Sequence, residues 1–88
     1  MRLIGELFDA VEGEGFSRCT WVLGGDAYLE GVKTVGDFTP EKIVLFFKKC
    51  GMESEGQDLF IRKYVDGDLL LSGKVLSLRM IDENGGKL

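Results

Sequence analysis

The fold is decided by residues 52–81, MESEGQDLFIRKYVDGDLLLSGKVLSLRMI. Near the end of this stretch Leu76, Leu78 and Met80 alternate with polar side chains, which is the period-two pattern of a half-buried β-strand. In its middle, Asp66–Gly67–Asp68 is a tight-turn sequence of the kind that joins two antiparallel strands. We therefore predict paired strands on either side of this turn.

Glycines recur at matching positions in the same region. Residues 69–73 (LLLSG) echo residues 52–56 (MESEG), and residues 27–31 (AYLEG) repeat the first half of the pattern. The spacing is irregular, so a strict solenoid is not indicated; glycine instead permits a bulge or a sharp bend. With bends at Gly56 and Gly73, the expected fold is mainly β: a small bent antiparallel sheet, sandwich- or roll-like, of about six to seven strands.

The same period continues upstream. In SRCTWVLGG the residues Cys19, Trp21 and Leu23 share one face of a strand. Gly24–Gly25–Asp26 is a turn sequence, so we predict a hairpin between this strand and residues 27–35, AYLEGVKTV, as its partner strand.

Residues 38–49, FTPEKIVLFFKK, fit two structures. Thr39 followed by Pro40 resembles a helix start, with threonine as the N-cap and proline at the first helical position. The apolar run at 43–47, IVLFF, instead suits a strand buried on both faces. We predict a strand within residues 41–49, because the neighbouring segments are all strands.

The two ends of the chain have different patterns. Apolar residues at helical spacing over residues 3–11, LIGELFDAV, predict a short amphipathic helix. The polar sequence at 82–88 predicts a flexible tail. We therefore expect a single domain over residues 1–88, with a helical leader (1–15), a β core (17–81) and this tail.

Charge and hydropathy limit the possible functions. The chain has 88 residues, 11 basic and 15 acidic, with a net charge of −4, so without a basic patch it would repel phosphate backbones. The nearest candidates, Lys48–Lys49 and Arg62–Lys63, are isolated pairs, and we predict no nucleic-acid binding. No run approaches the roughly 20 apolar residues of a membrane helix, and no signal peptide is recognisable. We expect a cytoplasmic protein that contacts membranes only indirectly, if at all.

The reactive side chains do not indicate catalysis. The sequence has no histidine, which removes the commonest general base and metal ligand. Lys48 and Lys49 could lower the thiol pKa of Cys50, but we interpret Cys19 and Cys50 as reduced, buried structural residues. Glu53 and Glu55, two apart on one predicted strand, are typical of a solvated face. We therefore predict that the protein is not an enzyme.

Metal, cofactor and base-stacking sites are likewise not predicted. Glu12, Glu14, Asp66 and Asp68 lack the spacing of a calcium-binding loop, and the glycine-rich segments match no phosphate-binding motif. We expect no metal and no cofactor. Aromatic residues could form an exposed platform for bases, but in a chain this short we favour core packing. The aromatic residues concerned are Trp21, Phe46, Phe47, Phe60 and Tyr64.

One family has this order of features. An apolar–Glu–Gly step precedes a lysine and a valine, a Phe–Thr segment leads into an apolar strand, and glycine-bounded strands follow. The matching positions are Leu29, Glu30, Gly31, Lys33, Val35, Phe38, Gly51, Gly56, Leu59, Ile61, Leu71, Gly73 and Val75. Residues 20–81 thereby resemble the YabP/YqfC family of sporulation proteins of endospore-forming bacteria, and they are closer to the YqfC side. The segment ELFDAV also resembles the amphipathic leader found on the YqfC side. Ser54 departs from the pattern, which has an apolar residue there.

The resemblance implies a role in forming the spore envelope, in the mother-cell cytoplasm, with no known catalytic activity, cofactor or functional residue set. We expect a non-enzymatic assembly or interaction module whose partners are copies of itself (a homo-oligomer), other sporulation proteins, or both. Unpaired outer strands of the sheet would supply the contacts. The alternative is a domain that binds a small molecule or a membrane surface, with an apolar cavity lined by residues such as Phe46, Phe60 and Leu78.

Overall fold

The computed structural model describes residues 17–82 of the chain. These residues form one six-stranded antiparallel sheet with the strand order β1-β2-β6-β5-β4-β3. The strands are β1 (Arg18–Trp21), β2 (Ala27–Glu30), β3 (Val32–Thr39), β4 (Lys42–Phe47), β5 (Gly51–Val65) and β6 (Asp68–Ile81). The predicted mainly β class is confirmed. The predicted leader helix lies outside the described residues, as do residues 83–88 of the predicted tail.

The two longest strands, β5 and β6, form the hairpin predicted around Asp66. Val65 and Asp68 are direct partners, so the loop consists of Asp66 and Gly67, whose φ angles are 52° and 85°. Positive φ at both loop positions is the geometry of a type I′ turn, whose twist matches that of the flanking strands. The hairpin is the centre of the sheet, with β2 and β1 on one side and β4 and β3 on the other.

The central hairpin is irregular at the predicted glycines. The pairing register of β5 and β6 shifts between Glu55 and Gly56, and Gly73 has a φ of 111°. A Cβ atom on Gly56 would lie 3.1 Å from the carbonyl carbon of Lys74 and closer still to its oxygen. Both glycines therefore lie where the strands are bulged or approach too closely for a side chain, as predicted.

Bending brings the inner faces of two halves of the sheet into one core. The upper layer consists of β1, β2, the end of β5 and the start of β6; the lower layer consists of β3, β4, the start of β5 and the end of β6. Leu29, Leu69 and Leu71 of the upper layer share a hydrophobic cluster with Ile43 and Leu45 of the lower layer. All five are fully buried, so one curled sheet supplies both sides of the core.

The segment whose sequence fits either a helix or a strand, residues 38–49, contains a strand, as predicted. β4 (Lys42–Phe47) lies within residues 41–49 and pairs with β3 and β5. The Oγ1 atom of Thr39 accepts hydrogen bonds from the backbone N–H groups of Glu41 and Lys42 at 3.3 and 3.0 Å. The capping pattern in the sequence therefore belongs to the β3–β4 turn, because threonine makes the same local bonds in turns as at helix starts.

Two expectations for the first hairpin are wrong. β1 and β2 do pair around the Gly24–Asp26 turn, but residues 27–35 do not form a single strand. The chain bends at Gly31, whose φ is 86°, and this bend separates β2 from β3. Leu23 does not share the inward face of the strand: it belongs to the turn and is 82% exposed.

The predicted face of Leu76, Leu78 and Met80 is only partly correct. Leu78 packs against the core, whereas Leu76 and Met80 are 50% and 45% exposed. The cause at Leu76 is a bulge: its two neighbours in β6 pair with consecutive residues of β5, which leaves Leu76 without a partner. A bulge of this kind breaks the alternation that the sequence pattern assumes.

Candidate interaction surface

The described sheet is open, so β1 and β3 each have a neighbouring strand on one side only. β1 has only four residues, and the register of β3 with β4 shifts between Val32 and Thr34 and again between Val35 and Phe38. Short edge strands, bulges and exposed edge charges such as Lys33 all resist pairing with further strands. The predicted unpaired edges are present, but their form disfavours open-ended strand addition.

A more suitable contact surface lies on the outer face of the upper layer. Leu70 of β6 is the direct cross-strand partner of Tyr28 in β2 on one side and of Lys63 in β5 on the other. This row belongs to an open depression of about 360 Å³ next to the β5–β6 turn. We call it the outer depression; its lining residues are Tyr28, Lys63, Val65, Asp66, Asp68 and Leu70.

The outer depression combines an apolar centre with charges of both signs. Tyr28 is 37% exposed and Val65 is 52% exposed, so both side chains are available to a partner. Lys63 supplies a positive charge, and Asp66 and Asp68 supply negative charges at the same surface. An apolar, aromatic centre with a charged rim is the usual anatomy of a protein–protein contact surface.

The surroundings of Tyr28 affect the pKa of its hydroxyl. Partial desolvation of the phenol, and next the negative charge and hydrogen bonding of Asp68, raise the pKa of Tyr28 above its ordinary value. A tyrosine hydroxyl is protonated at neutral pH even at its ordinary pKa, so it can donate a hydrogen bond. A tyrosine with an exposed ring and a protonated hydroxyl is a suitable anchor for a protein contact.

The acidic pair noted in the sequence is divided between two environments. Glu53 forms ion pairs with Arg79 and with Lys42, the latter at 3.2 Å. The hydrogen bonds from Arg79 and Lys42 lower the pKa of Glu53, which disfavours the protonated form that a general acid needs. Glu55 is exposed, as predicted for a solvated face. Glu12 and Glu14 lie outside the described residues.

The basic pairs do not form a stripe. Arg62 forms an ion pair with Asp26 at 4.0 Å, and Lys63 lines the outer depression. Lys48 and Lys49 are exposed in the turn between β4 and β5.

The aromatic side chains are divided between core and surface. Phe47 is buried and Trp21 packs against the core, as predicted. Phe60 and Tyr64 are 49% and 41% exposed, so core packing is the wrong interpretation for them. Tyr64 nevertheless has a structural role, because its hydroxyl donates a hydrogen bond to the carbonyl oxygen of Val32 at 3.2 Å, linking the two layers.

Both cysteines lie at a second, smaller pocket between the layers. Each carries a free thiol and is half-buried, and burial raises the pKa of the Cys19 thiol. The pocket has a volume of about 70 Å³. We call it the sulfur pocket; its lining residues are Ser17, Arg18, Cys19, Phe47, Cys50, Met52 and Met80.

The residues expected to line the apolar cavity of a small-molecule binder lie outside the two pockets described above. Phe46, Phe60 and Leu78 line neither the outer depression nor the sulfur pocket. The ring of Phe46 instead covers two glycines, since a Cβ atom would lie 2.9 Å from it at Gly36 and 3.2 Å from it at Gly51. Phe46 therefore packs over backbone on the outer face of the lower layer.

Comparisons with known proteins do not indicate a function, so a functional assignment depends on the chain's own residues. Scans of protein-family models, curated sequences and solved structures give no match. Over residues 17–82, no group of three or more His, Cys, Asp and Glu side chains is placed to hold a metal ion. None of the described residues belongs to a helix long and apolar enough to cross a membrane.

Proposed function

We propose that the protein is a non-enzymatic assembly module that associates through the outer depression. The observation that carries this proposal is the cross-strand row of Tyr28, Leu70 and Lys63, an apolar and partly exposed surface bounded by charges. Short or bulged edge strands oppose growth of the sheet by strand addition. For residues 17–82 we therefore favour contact between side chains on a sheet face as the mode of assembly.

A second copy of the chain is the partner that fits this surface best. A two-fold contact places the same surface on both sides of the interface, so a self-associating surface must be complementary to itself. The outer depression meets this condition, because Lys63 of one copy can lie opposite Asp68 of the other around the shared apolar centre. Such rim charges contribute mainly to orientation and specificity.

The expected association is weak. The outer depression has six lining residues, whereas a stable interface uses about 20–30 residues on each side. The assembly should therefore dissociate on dilution, and further partners would be needed for a permanent complex.

The test is sedimentation velocity over a wide concentration range, on the full chain and two variants. Tyr28→Thr removes the aromatic anchor from the outer depression, and Leu76→Thr is the matched control, because it removes an exposed apolar side chain in the other layer. We expect the full chain and the control to self-associate at high concentration and Tyr28→Thr to stay monomeric. A full chain that remains monomeric throughout would contradict the proposal.

We propose further, from the sequence resemblance, that this assembly serves spore-envelope formation in the mother-cell cytoplasm. The experiment is replacement of the gene by the Tyr28→Thr variant in an endospore-forming host, with the Leu76→Thr variant beside it. We expect a spore defect, and loss of co-purifying sporulation proteins, with Tyr28→Thr only. Normal spores from a deletion strain would contradict this role.

The alternative function is binding of a small molecule or a membrane surface. One observation favours it: the volume of the outer depression, about 360 Å³, is at the lower end of the roughly 300–1,000 Å³ of ligand pockets. In that case Tyr28→Thr would abolish binding of a ligand or of lipid vesicles, while sedimentation would show monomers with and without the substitution.

A further inference from the structure

Every sulfur-bearing residue after Met1 lines a single pocket. The sequence has two cysteines and three methionines, and Cys19, Cys50, Met52 and Met80 are four of the seven residues that line the sulfur pocket. They come from β1, from the turn before β5, from β5 and from β6. The fold therefore gathers side chains that are dispersed along the sequence.

The backbone explains how these side chains converge. Met52 and Met80 are direct cross-strand partners, which places their Cβ atoms about 4.5–5.5 Å apart on one face. Cys50 lies just before β5, packs against the core and lines the same pocket as Met52. Cys19 belongs to the upper layer, so it lines the pocket from the other side.

We propose that the sulfur pocket binds one soft monovalent metal ion, Cu(I) in particular. Thiolate and thioether ligands select soft ions, whereas zinc takes three or four Cys, His, Asp or Glu ligands, and calcium and magnesium take oxygen ligands. No such group of His, Cys, Asp and Glu side chains occurs in residues 17–82, which leaves a set of two thiols and two thioethers. The sulfur pocket has a volume of about 70 Å³, which suits a single ion.

The charges at the pocket are compatible with this ion. Metal binding requires both thiols to lose their protons, and a Cu(I) ion with two thiolates has one net negative charge. Arg18 also lines the pocket; its guanidinium is ion-paired with Glu30, so it offsets this charge only in part.

Packing alone is the other use of such residues, since methionine and cysteine fill irregular apolar gaps. The two uses differ in what a sulfur-free replacement changes. Met80→Leu keeps size and hydrophobicity and costs little stability in either case. Only a metal site loses affinity when the thioether is removed.

The experiment is an anaerobic titration of the reduced full chain with Cu(I) against bicinchoninate as a competing chelator. We expect one Cu(I) per chain. Loss of an outer-shell group costs about 10–100-fold in metal affinity. Cys19→Ser and Cys50→Ser each remove a direct thiolate ligand and should weaken binding by more than about 100-fold. Met80→Leu removes a weaker thioether ligand and should weaken binding by at least about 10-fold. Ser17→Ala is the matched control, because Ser17 lines the pocket without a sulfur atom.

X-ray absorption at the copper edge provides an independent readout. A first shell of sulfur only, together with protection of both cysteines from alkylation by iodoacetamide, is the expected result. The proposal would be overturned if bicinchoninate removed all the copper, if the double cysteine variant bound copper as tightly as the full chain, or if the shell contained nitrogen or oxygen. Circular dichroism checks that each variant folds. Met80 is 45% exposed, so Met80→Leu should fold even if the cysteine variants do not.

Discussion

Adding one methyl group at Gly56 should destabilise the protein strongly. A Cβ atom there would lie 3.0 Å from the Leu59 side chain and 3.1 Å from the carbonyl carbon of Lys74, with the Lys74 oxygen closer still. The clash is with backbone, so β6 must shift. Such a shift would weaken or break the hydrogen bond that the Gly56 N–H donates to the Glu41 carbonyl oxygen at 3.0 Å.

The expected loss can be estimated from these two terms. Overpacking costs about 1–3 kcal/mol, and a lost hydrogen bond costs about 1 kcal/mol more, so Gly56→Ala should cost about 2–4 kcal/mol. Over the 88 residues, typical stabilities of about 0.05–0.15 kcal/mol per residue give about 4–13 kcal/mol in total. The alanine variant should fold with a lower urea midpoint, and valine at Gly56 or Gly73 should prevent folding.

Three further glycines separate crowding from backbone strain. Gly73→Ala has both, since its Cβ atom would lie 2.9 Å from the carbonyl carbon of Asp58 and its φ is +111°. Gly24→Ala has strain only, because φ is +74° and nothing lies within 4 Å. Gly25→Ala has neither, since its nearest contact would be an ordinary 3.5 Å from Val22. If Gly56→Ala unfolded at the same urea concentration as Gly25→Ala, the bent-sheet geometry would be refuted.

Two other substitutions test the interior and the ion pairs. Ser54 is fully buried and its hydroxyl has no hydrogen-bond partner among the described residues. Ser54→Ala should therefore raise the free energy of unfolding by about 1 kcal/mol. A loss of stability in urea titrations would instead show that the hydroxyl has a hydrogen-bond partner. Glu53 has its pKa lowered from an ordinary 4.5, first by Arg79 and then by Lys42. The unmodified chain should therefore be more stable than Glu53→Gln above pH 4.5. This difference in the free energy of unfolding should disappear as the pH falls through the lowered pKa of Glu53 in the folded state. A difference independent of pH would contradict the ion-pair assignment.

Much of the fold could be predicted because local patterns agree with the sheet. Alternating apolar residues, the Asp66–Gly67 turn and the bends at Gly56 and Gly73 are all encoded by neighbours in sequence. The bend at Gly31 was missed because AYLEGVKTV alternates well enough for one strand, and only the positive φ of Gly31 divides it. The exposure of Leu76 was missed because a bulge depends on the register of two strands, which one strand's sequence does not contain.

The two pockets could not be predicted from the sequence. Tyr28 and Leu70 become neighbours only because β2 pairs with β6, a contact between segments some 40 residues apart in the chain. Cys19 and Cys50 come to one pocket by the curling of the sheet, and the methionines that complete it have the ordinary pattern of core residues. Phe60 and Tyr64 resemble core aromatics for the same reason: the sequence gives their spacing, not the direction of the bent strand.

Association through the outer depression is tested most directly by a pair of charge-reversed variants, Lys63→Glu and Asp68→Lys. In a two-fold contact each variant alone places like charges opposite each other, whereas a mixed dimer restores both attractive pairs. We predict that sedimentation velocity finds each variant monomeric and the equimolar mixture associated, with Lys48→Glu, at an exposed position outside this surface, behaving as the unmodified chain. A mixture that stays monomeric at concentrations where the unmodified chain associates would contradict the account.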